Sequence, residues 1–182
     1  KEEEFYPLQL RYILNENPAG LEEKNWKNKI VFAEKEDIPK WIELVHLIID
    51  GFPHLDEQQY RKQLQEYIGN KQALILKSTD TAIVIMAFNE TEGSIDFFGV
   101  HPQYPKIEIG KAFCELALYE LASSPQISVT TFREGDKADT GYRKMWGSLG
   151  FSEAELLVEF GYPTQRFILQ KPLDRPCNHV LQ

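Results

Sequence analysis

The sequence predicts an α/β protein, an α+β arrangement with one mixed β-sheet and helices on both faces. Three observations carry that prediction. Strand-length runs rich in β-branched and aromatic residues alternate with segments whose apolar residues recur at helical spacing. Short turn signals join several of the runs, which makes those neighbours antiparallel. One helical segment links two runs in the middle of the chain, which makes that pair parallel.

Each element follows in order. Residues 30–34, Ile-Val-Phe-Ala-Glu, read as a strand. Asp37 caps a helix with Pro39 in its first turn, where a missing N–H costs little; Ile38, Trp41, Ile42, Val45 and Ile49 share one face, and Gly51 ends it. Asp56, with Gln59 three residues on, opens a second helix in a capping-box arrangement. Its inner stripe is Tyr60, Leu64 and Tyr67, and Gly69 stops it. Strands 73–77 and 81–88 flank the turn Ser78-Thr79-Asp80, and a third strand, 94–100, follows a turn at 89–93. A helix to about Ala122 is predicted by Ile109, Ala112, Phe113, Leu116 and Ala117. Strand 127–132, a helix over 138–149, and strands 154–160 and 165–170 around a Gly161–Thr164 turn complete the order. Residues 1–29 read as an N-terminal extension, 30–171 as one domain and 172–182 as a C-terminal tail.

Composition narrows the function. Lys and Arg number 20 against 28 Asp and Glu, a formal charge of −8. A nucleic-acid partner is not expected, because counterion release from phosphates requires a basic footprint. Cys114 and Cys177 form no disulfide framework, and the 4 histidines show no metal-ligand spacing, so no metal is expected. No apolar run approaches a membrane span, and Lys1-Glu2-Glu3-Glu4 lacks the basic flank and apolar core of a signal peptide. A cytoplasmic protein without a membrane partner is expected. The first residue is not Met, which leaves room for an upstream segment.

The element order, with the segment Phe98-Gly-Val-His-Pro-Gln-Tyr-Pro-Lys-Ile-Glu-Ile-Gly-Lys-Ala-Phe113, resembles the GNAT superfamily of N-acetyltransferases. Tyr142-Arg-Lys-Met-Trp-Gly-Ser-Leu-Gly-Phe151 is similar to the family's second motif, a helix ending in Leu-Gly-Phe before a strand. The resemblance covers roughly residues 30–171. It implies a V-splayed central sheet with acetyl-CoA as cosubstrate in the split between strands 94–100 and 127–132. It implies that Phe98, Gly99 and Val100 hold the pantetheine arm, and that Lys106, Ile107, Glu108, Ile109, Gly110 and Lys111 cradle the pyrophosphate. Elementary physics supports the second assignment: unpaired N–H groups at a helix start, with the macrodipole, attract an anion, and Lys106 and Lys111 add charge.

The chain departs from the family pattern twice. Aligned on Gly110, the loop places Pro105 at the usual Arg/Gln position and Glu108 at the first Gly position; the first has no N–H to donate and the second adds a Cβ and a negative charge. The position that usually carries a general-acid Tyr holds Trp146, whose indole has no accessible acid pKa. Tyr142, one turn earlier on the same face, is the available phenol. Asp96 on the strand entering the split, and His101 just after it, are the other catalytic candidates; Glu92 lies near the same strand. His54, between the first two helices, and Glu159 and Tyr162, near the last hairpin, are candidate acceptor-binding residues.

The function expected is therefore transfer of an acetyl group from acetyl-CoA to a primary amine of a small molecule or peptide. The alternative is a catalytically impaired ligand-binding or regulatory module on the same fold. The tail after Lys171, with Leu173, Val180 and Leu181, is a candidate contact for a homodimer.

Overall fold

The computed structural model describes residues 30–49, 54–104, 113, 121 and 123–171. Within them runs a seven-stranded mixed sheet of order β1-β2-β3-β4-β5-β7-β6. The strands are β1 (Ile30–Phe32), β2 (Ala73–Ser78), β3 (Thr81–Asn89), β4 (Ser94–Val100), β5 (Gln126–Phe132), β6 (Ser152–Glu159) and β7 (Tyr162–Gln170). The described helices are α1 (Ile38–Ile48), α2 (Glu57–Gly69) and α3 (Tyr142–Ser148). All neighbouring strands are antiparallel except β4 and β5. Most of the segment that joins that parallel pair lies outside the described residues; Phe113 within it is helical and buried.

Helices cover both faces. On one, Trp41 of α1 is fully buried and its indole N–H donates to the Tyr60 hydroxyl of α2 at 2.8 Å, which fixes the two helices together. Tyr60 then meets Phe97 of β4 edge to face, with centroids 5.3 Å apart. Gly99, two residues on, faces α1: a Cβ there would lie 2.4 Å from Cδ1 of Ile48. On the other face, Trp146 of α3 packs edge to face on Phe98 and on Phe151, at 5.6 and 5.3 Å.

Several boundaries differ from the sequence reading, each for a local reason. Asp37 sits at the start of α1 but does not cap it; its carboxylate turns back to accept from the N–H of Glu34 at 2.9 Å and from Lys77 Nζ at 2.6 Å. Asp56 does cap α2, accepting from the N–H of Gln59 at 3.0 Å. The helix expected from Ala138 begins only at Tyr142, because Gly141 has φ of +115° and the residues before it form turns. The last hairpin turns on Phe160 and Gly161 alone, at φ of +53° and +76°, so Tyr162 to Thr164 belong to β7 rather than to a loop. Gly51, the 1–29 and 172–182 segments, and the tail residues Leu173, Val180 and Leu181 lie outside the described residues. No described helix is long and apolar enough to cross a membrane.

Candidate active site

The site begins with one extra residue. In the β3–β4 ladder Ala87 pairs with Phe97 and Phe88 with Ile95, so Asp96 is a bulge. A bulge bends and twists the strand that carries it. The parallel β4–β5 ladder accordingly has two rungs, Ser94 with Ser128 and Ile95 with Val129. Beyond them Asp96–Val100 and Thr130–Phe132 run apart without pairing, and a split opens in the middle of the sheet.

The bulge also places Asp96 on the same face as Phe97, toward α2. The Tyr67 hydroxyl of α2 donates to one oxygen of the Asp96 carboxylate. Burial, then the charge of Asp96, push the Tyr67 phenol above its usual range, so it stays a proton donor. Glu159, at the end of β6, lines the same space. Its carboxyl is raised from the ordinary value by burial first and by the charge of Asp96 second, with Arg166 opposing. Together these groups line a cleft of about 880 Å³ between α2 and the β6–β7 hairpin. Its floor is polar: Ser94 of β4 and Gln126, Ser128 and Thr130 of β5 face it.

Tyr142 approaches the split from the opposite face. Its hydroxyl accepts from the N–H of Val100 at 3.0 Å and donates to the Val100 carbonyl at 3.2 Å. Its ring lies against Phe98 and Phe132, at 6.2 and 5.4 Å. Burial is the main reason its pKa is pushed up to about 12; the Val100 hydrogen bond opposes the shift and Asp139 adds to it. Val100, Thr140 and Tyr142 border a second cavity, about 520 Å³, at the open end of the split. Asp96, Phe98, Thr130 and Thr164 line the narrow space between the two cavities.

The remaining candidates are more dispersed. His101 has Nδ1 accepting the N–H of Gln103 at 3.2 Å and its ring edge on Tyr104, so it supports the turn after β4; burial lowers its pKa. Tyr162 borders both the split and the second cavity, with its hydroxyl donating to Asp136 at 2.8 Å. Burial, followed by that bond, raises its pKa. His54 is exposed, and its carbonyl abuts Gly161. Pro105 and the loop residues Lys106, Ile107, Glu108, Ile109, Gly110 and Lys111 lie outside the described residues. Among the described residues no cluster of His, Cys, Asp and Glu suits a metal ion.

Sequence reasoning missed Tyr67 as a site residue, taking it for the last member of a core stripe. It also passed over the floor of the cleft and Arg166. The alternation of polar Gln126, Ser128 and Thr130 with buried Ile127 and Val129 was the available signal. A central strand that keeps one polar face borders either solvent or a ligand.

The hairpin that walls the cleft depends on Gly161. A Cβ at this residue would lie 2.5 Å from the His54 carbonyl oxygen, and φ is already in the left-handed region. Gly161→Ala is expected to destabilise the fold by roughly 1–3 kcal/mol, through overpacking and backbone strain together. Urea denaturation checks it; a change under about 0.5 kcal/mol, the range of a neutral surface substitution, would show that the 54–56 loop simply moves aside.

Known structures share this fold. The chain superposes on the ribosomal-protein-S18-alanine N-acetyltransferase of Escherichia coli with a TM-score of 0.57 at 16% identity, covering 78% of this chain and 92% of that one. It matches yncA of Salmonella typhimurium, solved with its cofactor acetyl-CoA, with a TM-score of 0.55 at 15% identity over 81% and 95% of the two chains. For a GNAT-family acetyltransferase of Bacillus cereus the values are 0.53 and 15%, over 78% and 96%. No protein-family model and no curated protein matches the sequence.

Proposed function

From the GNAT acetyltransferase fold that this chain has, we propose that it is a member of that superfamily and transfers an acetyl group from acetyl-CoA to a primary amine. The observation that carries the reading is the split itself, with a carboxylate on one face and a phenol on the other. Acetyl-CoA supplies the acetyl group as a thioester. Two features suit its arm. The N–H and C=O of Val100 turn into the split and pair with a side-chain hydroxyl instead of a strand. The buried Thr164 hydroxyl, which borders the same space, has no partner among the described residues. Phe98, Gly99 and Val100 would hold the arm and the 106–111 loop the diphosphate.

The chain's own groups divide the work by face. The amine enters through the polar cleft as its ammonium, and Asp96, oriented by Tyr67, takes the proton that the nitrogen must lose before it attacks the thioester carbonyl. Glu159 is a second carboxylate beside it. A Tyr142 phenol with a pKa near 12 is a weak acid. It therefore serves better as a hydrogen-bond donor to the leaving sulfur than as a source of a fully transferred proton.

One observation favours a second reading, a binding module without turnover: the Tyr142 hydroxyl already occupies the Val100 backbone. Thiol release from acetyl-CoA across a panel of amines tests both. Turnover with at least one amine is expected. No thiol release with any amine, alongside thermal stabilisation by acetyl-CoA of about 2.7 kcal/mol at one hundred times its Kd, would replace the enzyme with the module.

A further inference from the structure

We infer that the 880 Å³ cleft takes a linear acceptor carrying two cationic nitrogens, one at the split and the other at the far mouth. The inference rests on the acetyltransferase reading for the identity of its reacting end. The charges are grouped at the two ends of the cleft. Asp96 and Glu159 stand at the split, where Glu159 feels the charge of Asp96. Glu92 stands at the other end, exposed, in the turn that leads into β4. Four steps of chain separate Glu92 from Asp96, beginning in the turn and entering β4 at Ser94, so the span is shorter than the about 14 Å of a fully extended segment.

Between these ends the lining is neutral and hydrogen-bonding. Ser94, Ser128 and Thr130 offer hydroxyls from the floor, and Gln59 and Gln63 line the cleft from α2. Ser94 is 7% exposed, and its Oγ has no hydrogen-bond partner among the described residues. It lies on β4 between the two acidic ends. Arg166 is the single cation among the described lining residues, and Glu155 holds it at 2.9 Å. Three carboxylates against one neutralised guanidinium disfavour an anionic acceptor, and a polar floor with the Ser94 hydroxyl unpaired disfavours an apolar one. A linear polyamine of matching length places one terminal nitrogen beside Asp96 and the other beside Glu92, with an N–H donor along its middle for the hydroxyls.

The test compares spermidine, a linear triamine whose two terminal nitrogens are far enough apart to reach both ends, with n-butylamine, which has one charge, and 1,2-diaminoethane, whose two nitrogens are too close. Acetyl-transfer kinetics should give spermidine a KM about tenfold below either control. Glu92→Gln should raise the spermidine KM about three- to fivefold relative to that of n-butylamine, as suits an exposed ion pair, and the ratio should shrink with added salt. Calorimetry of spermidine without acetyl-CoA reads the same preference independently of chemistry. Preferential binding without acetyl transfer would defeat the enzyme reading and leave this one standing. Transfer to all three amines with equal KM, absence of spermidine binding, or faster transfer to a peptide with a single lysine would overturn the two-nitrogen acceptor.

Discussion

Asp96→Asn is expected to slow acetyl transfer by about 10²–10⁴-fold, the range of a positioned general base. The substitution is nearly isosteric and keeps an oxygen to accept from Tyr67, so the fold should persist. The loss should fall on kcat, because the bound ammonium must give up a proton before its nitrogen has a lone pair for the attack. Single-turnover rates with saturating amine check it, alongside a thermal melt that should move little. A rate within a few-fold of wild type would remove Asp96 from the chemistry. Glu159, whose carboxyl is raised by burial beside it, would then be the group to replace.

Trp146→Ala is the largest expected change in stability, about 3–5 kcal/mol. Trp146 is 1% exposed and wedged between Phe98 on β4 and Phe151 before β6, so its loss empties the joint between α3 and the sheet. For a chain of this length that is roughly 10 °C in Tm. Denaturant titration checks it, with acetyl-CoA affinity as a second reading because Phe98 borders the split. A loss below about 1 kcal/mol would mean that α3 collapses onto the sheet without a cavity.

The same residue shows what the sequence could and could not reveal. Trp146 falls at the position where the resemblance led us to expect a phenol, and spacing placed Tyr142 one turn away on the same face. In the fold both rings pack against Phe98 of β4. What spacing did not show is that Tyr142 bonds to the backbone of Val100, a residue 42 positions away. Strand and helix identities were legible because apolar period and turn residues are local properties. The bulge at Asp96 was not, since it is a mismatch between two strands and no single strand records it. For the same reason Asp96 was visible as a candidate while its partner Tyr67 looked like core. The polar alternation of β5 was local and could have been read. It carries meaning only once β5 is known to sit in the middle of the sheet.

That one extra residue in β4 has a mechanical consequence. β1 to β4 form one leaf of the sheet and β5 to β7 another, and the backbone ladder joins them only at Ser94–Ser128 and Ile95–Val129. The two leaves meet like the pages of a book along a two-rung spine. Ile95 and Val129 are fully buried at that spine, while the unpaired ends of both strands lead away from it. Beyond the spine the leaves are joined by side chains of α3 rather than by backbone: Tyr142 bonds the Val100 backbone of one leaf, and its neighbour Arg143 donates to the Phe132 carbonyl of the other at 3.0 Å.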